Sequence, residues 1–193
     1  MGTPQTYKYW MHNKYHYRLN LPIDFSVEET DSRVMFTRYN KHIPEFEQLL
    51  LSNGVAILSS DRFYIEPSGG LWPHHDCDHE NNYAKLNFVY GGKDSVMAWF
   101  KLNPGKELTP ALTDANNKYS SVASLDDITE VHRATVGFPS LVNAGCIHGV
   151  RNGTTEPRIC YSYVLAYAEN PTQNLDWDHA VERLKNFIVV DQP

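Results

Sequence analysis

Apolar and polar positions alternate in short runs along most of this chain, and a helical period replaces that alternation in two places. Residues 33–39 read as a strand. Phe46, Leu49 and Leu50 then form a stripe at helical spacing, which predicts a helix near 43–52 with Pro44 in its first turn and Asn53-Gly54 as its stop. Strand-type segments follow at 54–59, 61–66, 73–78, 84–90, 95–101, 130–136, 140–143, 146–151 and 158–168. Gly91-Gly92-Lys93-Asp94 reads as a hairpin turn between two of them, and Asn152-Gly153 as another. The stripe Leu175, Trp177, Ala180, Val181, Leu184, Ile188 predicts a closing helix near 174–188, with Asp176 and Asp178 at its positive N-terminal end. Many short strands broken by turn residues predict a mainly β fold with flanking helices, a sandwich or a barrel.

Two stretches have no clear period. Residues 1–32 carry Tyr7, Tyr9, Tyr15 and Tyr17 and read as an extended arm or short strand packed on the body. Residues 102–129 are rich in Asn, Pro, Ser, Thr and Asp and long for a plain connection, so they read as a lid, a binding loop or a surface insertion.

Composition narrows the classes. A length of 193 residues is enough for one domain, 1–193, with its core at about 54–168. The 23 acidic and 17 basic residues leave a net charge of −6 with no basic stripe, which argues against a nucleic-acid partner. No apolar run approaches the roughly 20 residues that cross a membrane, and the first residues have no apolar signal core. An odd count of 3 cysteines points to reduced thiols and a cytoplasmic setting. Cys146 and Cys160 read as small buried apolar residues, and the paired CxxC units of structural zinc sites are absent around Cys77. Met1-Gly2 with Thr6 fits a myristoylation pattern too short to carry weight, and Asn152-Gly153-Thr154 is a glycosylation sequon that without secretion would not meet the machinery.

The chemistry-bearing residues are His74-x-Asp76, His148 and, ten positions later, Arg158. On a strand, i and i+2 share a face, so His74 and Asp76 can grip one metal while His75 points the other way. Two histidines and a carboxylate are the facial triad of non-haem Fe(II) sites. A hairpin at 152–157 would set Arg158 on the strand beside His148, where a buried guanidinium needs an anionic partner. His12, His16, His42, His132 and His179 have no ligand-like neighbours and read as structural; His79 sits in an exposed polar run. Tyr64 and Asn87 lie on strands flanking the first ligands, and Asn143 either supports His148 or makes a turn.

At Pro73-His74-His75-Asp76, at 143–152 and at Pro157-Arg158 the chain resembles the Fe(II)/2-oxoglutarate-dependent dioxygenases. Residues 64–72 look like the approach to the first ligand in prolyl-4-hydroxylase-like members. The resemblance spans 54–168. It implies a double-stranded β-helix, the cupin-like jelly roll, with Fe(II) on His74, Asp76 and His148. It further implies 2-oxoglutarate chelating the iron with its far carboxylate on Arg158, O2 in the remaining position, and Tyr64, Asn87 and Asn152 around the cosubstrate. The reaction implied is hydroxylation of an unactivated C–H bond with release of succinate and CO2. Cys160 departs from the Ser or Thr of many members, and Arg158 from the Lys of prolyl hydroxylases; Asp76 is the carboxylate that halogenating relatives lack. The substrate is left as a small molecule or a peptide side chain, and the oligomeric state open. A cupin-type metal enzyme without keto acid would keep the triad but have no use for Arg158. A non-catalytic jelly-roll binding protein is the third reading.

Overall fold

The computed structural model describes residues 13–23, 25, 33–38, 43–76, 83–112, 118–137 and 139–189. The arm carrying Tyr7 and Tyr9, the Met1-Gly2 pattern, Cys77, His12, His42 and His79 lie outside them.

Among the described residues, thirteen strands and two α-helices run in this order: β1 (His16–Arg18), β2 (Phe36–Arg38), α1 (Pro44–Ser52), β3 (Val55–Ile65), β4 (Gly70–His75), β5 (Ala84–Tyr90), β6 (Val96–Leu102), β7 (Thr109–Leu112), β8 (Lys118–Ser121), β9 (Ile128–Thr135), β10 (Ser140–Asn143), β11 (Ile147–Arg151), β12 (Arg158–Tyr167), β13 (Asn170–Asn174) and α2 (Trp177–Leu184). One sheet has the order β1-β10-β5-β12-β3-β2, with β13 paired to β12; the facing sheet has the order β7-β8-β4-β11-β6-β9. Every pairing is antiparallel. From β3 onward the chain steps between the sheets, β3, β5, β10 and β12 in the first and β4, β6, β9 and β11 in the second. That arrangement is the double-stranded β-helix, a jelly roll.

The alternation along each strand explains the layers. In the first sheet Leu86, Phe88, Leu141, Tyr161, Tyr163 and Leu165 face the helices, where Phe46 and Leu50 of α1 and Trp177, Ala180 and Leu184 of α2 complete one apolar core. Burying each such side chain contributes about 1.5–3 kcal/mol. The intervening positions, among them Asp61, Lys85, Asn87, Arg158 and Ser162, face the space between the sheets. Polar residues on the inner face of a central sheet mark that space as a site rather than ordinary core. It is closed at one end by Ile65, Met97, Trp99, Val136, Val142 and Val150.

Several expectations change. Segments 54–59 and 61–66 are one strand, β3. The predicted hairpins at 91–94 and 152–157 do not form: β5 and β6, and likewise β11 and β12, belong to opposite sheets. Gly and Asn-Gly signals register a reversal of direction but not the partner. Strand β12, buried on both faces, pairs with β3 and β5 instead. The stretch 102–129 holds the hairpin β7–β8, which extends the second sheet beyond β4. The closing helix is shorter than predicted, Trp177–Leu184, because β13 and a 3-10 turn, Lys185–Phe187, take up its ends. Among the described residues no helix is long and apolar enough to cross a membrane.

Candidate metal centre

Strands β4 and β11 pair so that His74 and His148 stand directly opposite each other on the inner face of the second sheet. Asp76 lies at the bend just after β4 rather than on a strand, yet its carboxylate reaches both imidazoles. Its Oδ1 is 3.1 Å from His74 Nε2 and its Oδ2 is 3.6 Å from His148 Nε2. One ligand atom from each of the three residues lies within 4.8 Å of the others.

The imidazoles are held from behind. His74 Nδ1 donates to the Trp72 carbonyl at 2.7 Å, and His148 Nδ1 to the Cys146 carbonyl at 2.9 Å. A carbonyl only accepts, so each Nδ1 carries a proton and each Nε2 is turned inward, toward Asp76. Such backing bonds fix tautomer and ring orientation in metal-binding histidines. Two inward imidazole nitrogens beside a carboxylate are, with the rings neutral, a donor set that a divalent cation satisfies. Nitrogen and oxygen ligands with an open side suit Fe(II) and its neighbours in the divalent series.

The charges follow from burial. Burial drives the His148 pKa down to about 4, against the pull of Asp76. For His74 burial works downward too, but the hydrogen bond and charge of Asp76 outweigh it and raise the pKa from the ordinary imidazole value. Burial would raise the Asp76 carboxyl, yet Lys85, His148 and His74 together hold it well below the usual carboxylate range. Lys85, on β5 of the opposite sheet, donates to Asp76 Oδ2 at 2.7 Å. Nothing in the sequence around Ala84-Lys85-Leu86 marks this lysine, and its partner sits across the interior.

His75 points the other way from His74 and is buried all the same, its Nε2 bonded to the Gly145 carbonyl at 2.8 Å. Arg158 is almost fully buried, and its Nε donates to Ser95 Oγ at 3.0 Å. It faces His148 from the other sheet rather than from a neighbouring strand, but it lines the same narrow cavity of about 40 Å³ as His74, Asp76, His148, Lys85, Asn87, Cys160 and Ser162. Among the described residues no carboxylate pairs with it. Asn87 is buried there too, and its Oδ1 has no hydrogen-bond partner among the described residues.

Two expected cosubstrate contacts fall elsewhere. Tyr64 alternates with Phe63 and Ile65 on β3, so it stands on the face away from the cavity, under the Arg62 guanidinium at 5.8 Å. Asn152 spends its amide on the backbone: Nδ2 donates to the carbonyls of Glu66 at 3.0 Å and Glu156 at 2.7 Å, and Oδ1 accepts from Thr154 Oγ1 at 2.7 Å. It shapes the connection that delivers Arg158. Asn143 takes the turn role, its Oδ1 accepting from Gly145 N at 3.1 Å. Cys160 is buried and Cys146 half-buried, and burial raises both thiol pKa values.

Beyond Asp76 the cavity opens into a cleft of about 740 Å³. Its walls include Phe36, Phe63, Trp72, Tyr83 and Tyr119, with Arg38 and Lys118 among the charged residues. Trp72 is pinned by a bond from Nε1 to the Val122 carbonyl at 2.9 Å. Tyr119 of β8 stands edge-on to His74 at 6.2 Å, so the hairpin within 102–129 supplies one wall of the cleft.

No protein-family model matches the chain, and no curated protein does. Solved structures similar in shape include pumpkin seed globulin, with a TM-score of 0.30 and 20% identity over 65% of this chain and 28% of that one. EvdO2 from Micromonospora carbonacea var. aurantiaca, complexed with 2-oxoglutarate, gives a TM-score of 0.36 and 10% identity over 68% of this chain and 64% of its own. HygX from Streptomyces hygroscopicus, with nickel and 2-oxoglutarate bound, gives 0.37 and 14% over 69% and 70%. Scores this low carry no argument about activity.

Proposed function

We propose that this protein is an Fe(II)- and 2-oxoglutarate-dependent dioxygenase that hydroxylates an unactivated C–H bond of a small molecule or a peptide side chain. One observation carries the reading: three converging metal donors and a buried guanidinium without a carboxylate partner among the described residues line one cavity. A buried charge of that kind calls for an anion. A diacid able to chelate a metal at one end meets both needs.

Iron and the keto acid, when bound, supply oxygen activation with release of succinate and CO2. The chain's own residues prepare for it. His74, His148 and Asp76 hold the metal from the β4–β11 side and leave the side toward β12 open. Arg158 pairs with the distal carboxylate through its fork of donors. Asn87 turns its amide toward the same acid. Leu71 and Phe63, which line both cavity and cleft, keep bulk water from the reacting centre. The aromatic cleft receives the substrate next to His74 and Asp76.

The test is Arg158→Ala. Losing one member of a buried charged pair costs about 2–5 kcal/mol, so the variant is expected to bind Mn(II) like wild type yet need far more 2-oxoglutarate to release succinate. An unchanged apparent affinity for the keto acid would place its partner elsewhere. Oxygen uptake that ignores 2-oxoglutarate would favour a cupin-type enzyme that has no use for Arg158.

A further inference from the structure

Beyond the triad and Arg158, one charged group of the interior touches the triad directly. Lys85 sits mid-strand on β5, flanked by Val142 of β10 and Val164 of β12, and is only 8% exposed. A leucine would fill that inner position without the desolvation cost of an ammonium. The lysine instead reaches across the interior to Asp76 Oδ2, with the Tyr83 ring 6.0 Å from its nitrogen. It lines both the narrow cavity and the wide cleft, at the neck between them.

We propose that Lys85 is a positioning residue for the metal. It holds the second oxygen of Asp76, so the carboxylate offers the metal Oδ1 alone. The proposal rests on the metal reading above. Its value lies in coordination number. A carboxylate that binds through one oxygen leaves half of an octahedral ion's positions open, whereas one that binds through both oxygens fills a further position. A chelating keto acid and O2 together need every open position. The same geometry makes ammonium and metal competitors, because both neutralise one carboxylate. By linkage, each weakens the hold of the other.

The experiment titrates Mn(II) into wild type, Lys85→Met and Lys85→Arg. Free Mn(II) is followed by electron paramagnetic resonance, and bound waters are counted from line broadening in ¹⁷O-enriched water. Lys85→Met is expected to bind Mn(II) about tenfold tighter and to carry one bound water fewer than wild type. Lys85→Arg, which keeps charge and donor, is expected to resemble wild type in both. If Lys85→Met does not fold without metal, it is purified with Mn(II) present and its affinity read by chelator competition. Unchanged affinity and an unchanged water count in Lys85→Met, with only a lower melting temperature, would assign the lysine a purely structural role and overturn the proposal. A wild type that binds no Mn(II) would overturn the triad reading and this one with it, so the two failures are distinct.

Discussion

His74 and His75 are adjacent in sequence and separated by a sheet in space. His74 offers Nε2 to the candidate metal centre, and His75 bonds the Gly145 carbonyl on the other side of β4. His74→Ala is therefore expected to lose most Mn(II) binding and to keep its fold. His75→Ala is expected to keep the metal and to lose about 1–3 kcal/mol of stability, since a buried carbonyl is left unpaired. Equilibrium unfolding alongside metal titration checks both; metal loss in His75→Ala with full retention in His74→Ala would reverse the ligand choice. The opposite facing of His74 and His75 was legible because strand alternation is a local rule, whereas Asp76 reaches the imidazoles from the bend after β4, outside that rule. Arg158 was legible too, since its charge stands out between a proline and an apolar run. Lys85 was not legible, since its meaning comes from a partner on the opposite sheet. Tyr64 was misplaced for a related reason: strand alternation gives two faces without saying which is inward, and the β3–β12 register decides.

At the scale of elements, the connection 152–157 shows how a correct local signal can lead to the wrong neighbour. Asn-Gly does mark a reversal, but six residues are long enough to cross between sheets, and β12 finds a better site between β3 and β5. Asn152 fixes that crossing through bonds to both flanking backbones. Asn152→Ala removes one of two donors from each of the Glu66 and Glu156 carbonyls and the acceptor of Thr154 Oγ1, and is expected to cost about 1–3 kcal/mol, readable in urea unfolding. A variant as stable as wild type would show that the connection is held by something other than this amide. The nearby Gly92 belongs to the same packing. Its φ is +45°, and an added Cβ would lie 2.9 Å from Arg158 Cβ and 3.0 Å from Asn152 Oδ1. Most of the central strands and the two helical stripes could be read from periodicity, but β7, β8 and β13 could not. The assignment of strands to two sheets could not either, because both sheets are built from the same short β-type segments.

For the molecule as a whole, the position of β12 sets the order of events when the chain folds. The first sheet has β12 at its centre, bonded to β5 on one side and β3 on the other, and Arg158 pairs with Ile65 while Tyr167 pairs with Val55. Until that late segment arrives, β3 and β5 present unpaired edges to one another with no strand to join them. Pairings so distant in sequence close large loops and form slowly. A nascent chain still lacking β12 thus exposes two sticky edges during synthesis. A fragment ending at Pro157 is expected to aggregate rather than hold a partial sheet, which light scattering and amide exchange would reveal; protected amides in β3 and β5 of a soluble fragment would contradict this. The strand that completes the sheet also carries the guanidinium of the site. The anion binding proposed for Arg158 can therefore begin only when the last central strand is in place, and a chain that misses that step is exposed to proteolysis before the site exists.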